Sequence, residues 1–219
     1  QYAWPTLQRR FGRPVWVKHE NFTPVGAFKI RGGLTYVAAL LARERPAGLI
    51  SATRGNHGQS IGFASREAGI PACIVVPLGN SREKNEAMRA LGVELIEHGE
   101  DFQAAREHAG LLAAERGWHM VPSFHPDLVA GVASYWLELF EQVPNLSRVY
   151  VPIGLGSGAC AAIAARDALR LGTEVVGVIS SGALTYQASW AAGEVRSAPV
   201  STVLGDGMAP ATIGSIEIF

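Results

Sequence analysis

The stretch Asn21-Phe22-Thr23-Pro24-Val25-Gly26-Ala27-Phe28-Lys29-Ile30-Arg31-Gly32-Gly33 sets one lysine among turn-forming, aromatic and glycine residues. Pro24 and Gly26 shape a tight turn, Phe28 offers an aromatic face, and Gly32 and Gly33 let a neighbour approach the backbone closely. A lone lysine on the first turn of a helix is ordinarily a solvated surface group. One enclosed by apolar neighbours loses hydration, its pKa falls, and its neutral amine becomes a nucleophile toward carbonyls.

A second stretch, Ser51-Ala52-Thr53-Arg54-Gly55-Asn56-His57-Gly58-Gln59-Ser60, follows an apolar run and opens a helical pattern. Backbone N–H groups at a helix start lack intrahelical partners and, with the helix dipole, attract a carboxylate or phosphate. Asn56 adds an amide and Thr53 a hydroxyl. The same pattern also serves as a plain helix cap. Arg54 has two readings, a side chain turned to solvent or a bidentate clamp on a substrate carboxylate. His57 has the chemistry of a general base, yet a histidine at a helix start is more often pinned by local hydrogen bonds.

The third stretch is Val151-Pro152-Ile153-Gly154-Leu155-Gly156-Ser157-Gly158-Ala159. Alternate glycines after a buried strand let successive N–H groups converge as an anion nest, and a phosphate is the natural guest. Ser157 can add a hydroxyl. The loop also satisfies Gly-x-Gly-x-x-Ala, the fingerprint of a nicotinamide dinucleotide. That fingerprint requires an acidic residue ending the next strand. Val175-Val176-Gly177-Val178-Ile179 ends in Ser180, with Glu174 at its start, so the dinucleotide reading loses ground.

These loops need a scaffold. Val15-Trp16-Val17-Lys18 reads as a strand, and Leu34, Val37, Leu40 and Leu41 recur at helical spacing, which places Lys29 in a strand-to-helix turn. Farther on, apolar runs at 48–51, 72–76, 93–96, 118–121, 149–153 and 174–180 alternate with helical patterns at 56–67, 81–91, 101–116, 127–142 and 157–171 and a final short helix. That rhythm predicts parallel strands joined by right-handed helical crossovers, with ligands at the carboxyl ends of the strands. The strands are nearly all apolar, as in a sheet covered on both faces.

With 219 residues, 48% of them hydrophobic, the chain can bury a substantial core. Lys+Arg and Asp+Glu balance at 19 each, so no net field attracts nucleic acid or an anionic membrane. Cys73 and Cys160 fit neither a metal nor a redox spacing and read as reduced thiols of a cytoplasmic protein. His98, His108 and His125 form no ligand spacing. No run approaches a membrane span. The chain begins at Gln1 and stops at Phe219 within an apolar run, the pattern expected of a piece of a longer protein.

The motif over residues 21–32, Asn-Phe-Thr-Pro-x-Gly-Ala-Phe-Lys-Ile-Arg-Gly, resembles the lysine motif of the fold-type-II pyridoxal-phosphate enzymes, specifically the threonine/serine dehydratase group. The resemblance implies that Lys29 carries pyridoxal 5'-phosphate as a Schiff base and that Phe28 packs beside its ring. Residues 51–60 are similar to the group's Ser-x-Gly-Asn-His-x-Gln segment. This implies that Asn56 contacts the cofactor's ring hydroxyl and that Ser51, Thr53, Arg54, Gly55 and His57 hold the substrate. Arg54 departs from the small residue common there, which leaves open a second substrate carboxylate. The loop Gly154, Leu155, Gly156, Ser157 and Gly158 matches the group's phosphate loop in type and place, although Leu155 and Ser157 interrupt its usual run of glycines.

Gly205-Asp206-Gly207-Met208-Ala209 resembles the group's Asp-Gly-hydrophobic-Ala turn, and the serine or cysteine that faces the pyridine nitrogen has no counterpart. Ile179-Ser180-Ser181-Gly182 lacks the acidic residue with which some relatives bind a divalent ion, so no metal site is expected. The implied architecture is α/β, two open, twisted, mainly parallel sheets flanked by helices. The implied domains are a large cofactor-binding one of residues 1–50 and 129–219 and a small substrate-binding one of 51–128. The implied activity is elimination of water from a β-hydroxy amino acid to give a 2-oxo acid and ammonia, in a homo-oligomer. Racemisation or β-replacement would use the same loops. From other classes, a non-catalytic amino-acid-binding relative and a nicotinamide oxidoreductase remain.

Overall fold

A computed structural model describes residues 2–202 and 206–208. Only part of the expected turn at 205–209 falls there, a single 3₁₀ turn at Asp206–Met208; Gly205 and Ala209 lie outside the described residues. The element order is β1 (Tyr2–Ala3), α1 (Pro5–Phe11), β2 (Trp16–Val17), α2 (Lys29–Leu41), β3 (Leu49–Ala52), α3 (Asn56–Ala68), β4 (Ala72–Val76) and α4 (Arg82–Ala90). It continues with β5 (Glu94–Glu97), α5 (Phe102–Arg116), β6 (His119–Met120), α6 (Pro126–Gln142), β7 (Arg148–Pro152), α7 (Ser157–Ala168), β8 (Glu174–Val178) and α8 (Thr185–Ala192).

Strands β5-β4-β3-β6 form a parallel sheet in that order, and β7 pairs parallel to β8. The α/β architecture with mainly parallel sheets is therefore present. The first strand differs: β2 pairs antiparallel with β1, register Tyr2↔Val17, and does not lead straight into α2. Lys29 thus follows a long turn instead of a strand end. Two-residue strands carry too little periodicity for their partner or direction to be read from sequence.

Along β3 and β4 every residue is buried, and alternate side chains enter different cores. Leu49, Ile74 and Val76 pack with Ile61 and Ala64 of α3, whereas Ile50, Cys73 and Val75 pack with Ala105, Ala109 and Ala113 of α5. Helices on both faces explain why these strands read as unbroken apolar runs. The β7–β8 pair departs from that expectation. Val149 and Val151 face α6 and α7, but Arg148 and Pro152 are exposed and Tyr150 is 63% exposed, so the other face is open among the described residues.

Three glycines bring α2 into contact with its neighbours. A methyl at Gly33 would collide with Ser60 Oγ on α3, one at Gly32 would stand 2.7 Å from the Leu128 carbonyl, and one at Gly131 would collide with the Arg31 carbonyl. What approaches Gly32 and Gly33 most closely is therefore α6 and α3, and the start of α2 is clamped between them. Among the described residues no helix is long and apolar enough to cross a membrane.

Candidate active site

The turn before Lys29 is built by Thr23. Its hydroxyl donates to the Ala27 carbonyl and accepts the Ala27 N–H, both at 2.9 Å, while Gly26 N–H bonds the Thr23 carbonyl. Gly26 sits at φ +66°, a left-handed conformation that glycine adopts without strain. The Lys29 carbonyl accepts from Ser60 Oγ at 2.5 Å, which ties the residue to α3.

The amine is directed into the molecule. Lys29 Nζ lies 3.4 Å from Ser157 Oγ and 5.5 Å from the centre of the Phe28 ring. Burial lowers its pKa to about 8. At pH 8 about half the molecules then carry a neutral amine, against under about 1% for an unperturbed lysine. Lys29 is therefore a buried amine and not a solvated surface group. A narrow cavity beside it is bounded by Gly32, His57, Ser123, Leu128, Val132 and Ser157.

The glycine loop meets this amine. Gly156, at φ +96°, caps α7, and its carbonyl takes the first helical bond, from Cys160 N–H. Ser157, Gly158 and Ala159 are buried, and their amides have no hydrogen-bond partner among the described residues. Buried amides at a helix start with no protein acceptor are the donors an anion requires. Behind them, Trp136 Nε1 donates to the Gly158 carbonyl at 3.0 Å, and the Phe28 ring stacks at a tilt on Tyr135, 5.7 Å between centres. Gly154 and Leu155 are half-buried, and the Gly207 carbonyl occupies the place where a Gly154 methyl would be.

The loop after β3 uses its donors differently. Thr53 Oγ1 accepts Gly55 N–H at 3.0 Å and Gly58 N–H at 3.4 Å, leaving the Asn56 and His57 amides without partners among the described residues. Ser51 is fully buried. Its hydroxyl donates to the Val121 carbonyl at 2.9 Å, so the 3.1 Å contact with His57 Nε2 must be a bond donated by the imidazole. His57 is therefore the Nε2–H tautomer. Burial, and then the Lys29 charge, push its pKa down to about 3. It stays neutral and pinned, as its place at a helix start suggested, and Ser51 positions it from behind. Arg54 and Asn56 are exposed at the turn.

The structure thus gathers Lys29, His57 and Ser157 around one cavity, while Phe28 and Gly158 meet each other beside it, a Gly158 methyl lying 3.6 Å from Phe28 Cζ. Arg54 and Asn56 stand at the rim of the loop and Ser51 behind it. Ser123 was missed, although it follows β6 at the carboxyl end of the sheet, where the strand rule directs attention. Also missed was the ion cluster under α2. Arg31 bonds Glu20 at 2.8 Å and Glu138 at 2.6 Å, Lys18 reaches Glu138, and the Arg31 bonds hold the Glu138 carboxyl down to about 2. It fixes the helix that carries Lys29.

A model of the pyridoxal-phosphate dependent enzymes matches residues 2–218. The chain belongs to that family. The L-threonine dehydratase (biosynthetic) of Pasteurella multocida is 33% identical over 210 residues, 95% of this chain and 41% of that protein. The L-threo-3-hydroxyaspartate ammonia-lyase of Saccharomyces cerevisiae is 31% identical, covering 92% of this chain and 62% of that one. Among solved structures, a threonine deaminase from T.th. superposes with a TM-score of 0.90 at 29% identity, covering 99% of this chain and 71% of that one. The chain thus spans about two fifths of the length of the Pasteurella relative.

The residues present fit the family's cofactor: a buried amine, an aromatic face and a nest of amides without protein acceptors among the described residues meet at one place. In this pyridoxal-phosphate family member, Lys29 would hold the aldehyde carbon, Phe28 would lie by the ring, and the Ser157–Ala159 amides would hold the phosphate.

Proposed function

We propose that this site eliminates water from a β-hydroxy amino acid of the serine and threonine type, giving a 2-oxo acid and ammonia. The observation that carries this reading is the buried Lys29 amine, 3.4 Å from the first residue of an amide nest. Pyridoxal phosphate, when bound, supplies the electron sink that stabilises a carbanion at the substrate's Cα.

The chain's own residues do the rest. The Ser157, Gly158 and Ala159 amides hold the phosphate end, and Phe28 with Tyr135 behind it supports one side. The Asn56 and His57 amides and the Thr53 hydroxyl bind the substrate carboxylate; Asn56 also orients the ring. Lys29, with a pKa of about 8, takes the proton from Cα at its Nζ. His57 is the wrong group for this, because it is held neutral and its Nε2 proton is engaged by Ser51. Departure of the β-hydroxyl as water and hydrolysis of the released enamine give the products.

The four-stranded sheet, spanning residues 49–120, supports the assignment of 51–128 as a substrate-side domain beside a cofactor domain of 1–50 and 129–219. We place the enzyme in the cytoplasm as a homo-oligomer, in keeping with its two free cysteines and with the resemblance.

The test is an assay of ammonia and 2-oxo acid release from L-serine and L-threonine by the cofactor-loaded enzyme. The proposal expects equal amounts of both products and no release by Lys29→Ala. Inverted amino acid without ammonia would make the enzyme a racemase.

A further inference from the structure

Between Gly156 and Gly158 the loop after β7 carries a hydroxyl, that of the buried Ser157, and its Oγ lies 3.4 Å from Lys29 Nζ. Among the described residues the amine makes no other hydrogen bond and no ion pair, its remaining close contact being the Phe28 ring at 5.5 Å. The hydroxyl is not used to cap α7, whose N-cap is Gly156, and among the described residues it has no partner besides Lys29.

Helix packing sets this pair. Gly131 brings α6 against α2, where a methyl on it would collide with the Arg31 carbonyl, and farther along α6 Trp136 Nε1 donates to the Gly158 carbonyl at 3.0 Å, next to Ser157. Lys29 and Ser157 are thus held from the two sides of one helix, and a close-packed interior keeps their spacing.

A buried ammonium needs an acceptor, and no carboxylate supplies one among the cavity's lining residues. His57 of α3, the titratable group there, is neutral and gives its Nε2–H to Ser51, while Gly32, Leu128 and Val132 are apolar and Ser123 is half-buried. The Ser157 oxygen fills that place. An acceptor beside the amine favours its charged form and so offsets part of the burial that lowers its pKa to about 8. An N–H given to Ser157 also leaves the amine's lone pair free, and the hydroxyl proton remains available to an anion on the neighbouring amides.

We propose that Ser157 is a positioning residue for Lys29: its hydroxyl oxygen takes an N–H of the amine and leaves the lone pair free to react, while its backbone N–H serves the anion nest. This rests on the reading of Lys29 as the base of a lyase.

The experiment determines the Lys29 pKa in the full cofactor-free chain by trace labelling with acetic anhydride over a range of pH, read by peptide mass analysis, in wild type, Ser157→Ala, Ser157→Gly and Ser157→Thr. The two hydroxyl-free variants should each lower that pKa by about half a unit or more, the loss expected for one long bond to a charged donor. Ser157→Thr, which keeps a hydroxyl, should stay near the wild type, an outcome that a packing role alone would not give. The pyridoxal phosphate concentration that half-saturates Ser157→Ala, followed by absorbance, should change by less than about fivefold, because the amides remain. A pKa unmoved in both hydroxyl-free variants overturns the proposal. So does a large loss of cofactor affinity at unchanged pKa, which would give the hydroxyl to the phosphate alone. The labelling needs neither cofactor nor substrate, so a wild type that releases no ammonia sinks the lyase reading while the pKa shifts still decide this one.

Discussion

Two turns in this molecule share a plan, strand then glycine-containing turn then helix, and differ in where their amides go. After β7, the buried Ser157, Gly158 and Ala159 amides are left without partners among the described residues, and the Ser157 hydroxyl lies 3.4 Å from the Lys29 amine. After β3, Thr53 engages the Gly55 and Gly58 amides, His57 is tied to Ser51, and Arg54 and Asn56 stand exposed. The first is a preformed nest suited to an anion that stays; the second is braced internally and open at its rim, suited to an anion that exchanges. On the proposed assignment of the first turn to the cofactor and the second to the substrate, the partners of the amides, more than the number of glycines, tell the two loops apart.

Removing the group both turns face should have the largest effect. Lys29→Ala is expected to cut turnover by about a thousandfold or more while circular dichroism stays unchanged; turnover within tenfold of wild type would mean another base. Next come paired glycine changes that set one turn against the other. Gly156→Ala forces a side chain to φ +96° and should weaken cofactor affinity by about tenfold or more. Gly55→Ala meets only the flexible Lys84 stem at 2.7 Å and should raise the substrate KM with little change in cofactor affinity, both read by titration. Equal effects on cofactor affinity would erase the distinction.

The pH dependence of stability isolates the amine. A Lys29 pKa of about 8 in the folded protein against 10.5 unfolded means that the unfolded chain binds more protons between those values. Stability of the cofactor-free protein should therefore rise with pH across that window, by at most about 3 kcal/mol, and be insensitive to this group below it. In Lys29→Met that rise should vanish, as measured by urea midpoints at pH 7 and 10. A smaller effect is expected at the braced turn, where Thr53→Val removes the acceptor of two amides and should cost about 1–2 kcal/mol of stability. Ser157→Ala, which removes only a hydroxyl from a turn whose amides are not held by it, should cost less.

Much of this was legible in sequence. Helices α2 to α7 lie close to where the sequence pattern puts them, because each buries a face against a sheet or a neighbouring helix, although α7 ends at Ala168 and not at 171. The Lys29 turn was legible through Pro24 and Gly26, a local device, but the Thr23 hydroxyl that closes it was not. Helix α1 was not: it buries no residue, so it leaves no periodic signature. The partners of Gly33 and Gly131, the Arg31 cluster and the reach of Lys84 over Gly55 join residues far apart in the chain, and spacing carries no record of them. The division of labour between the two turns also hides in sequence, since it depends on whether one threonine hydroxyl faces its own loop.

The central claim is that Lys29 is the residue that binds the cofactor's aldehyde. Borohydride reduction of the cofactor-loaded enzyme, followed by peptide mass analysis, tests it most directly. The account predicts a single phosphopyridoxyl adduct on the peptide containing Lys29; an adduct on another lysine, or none, would contradict it.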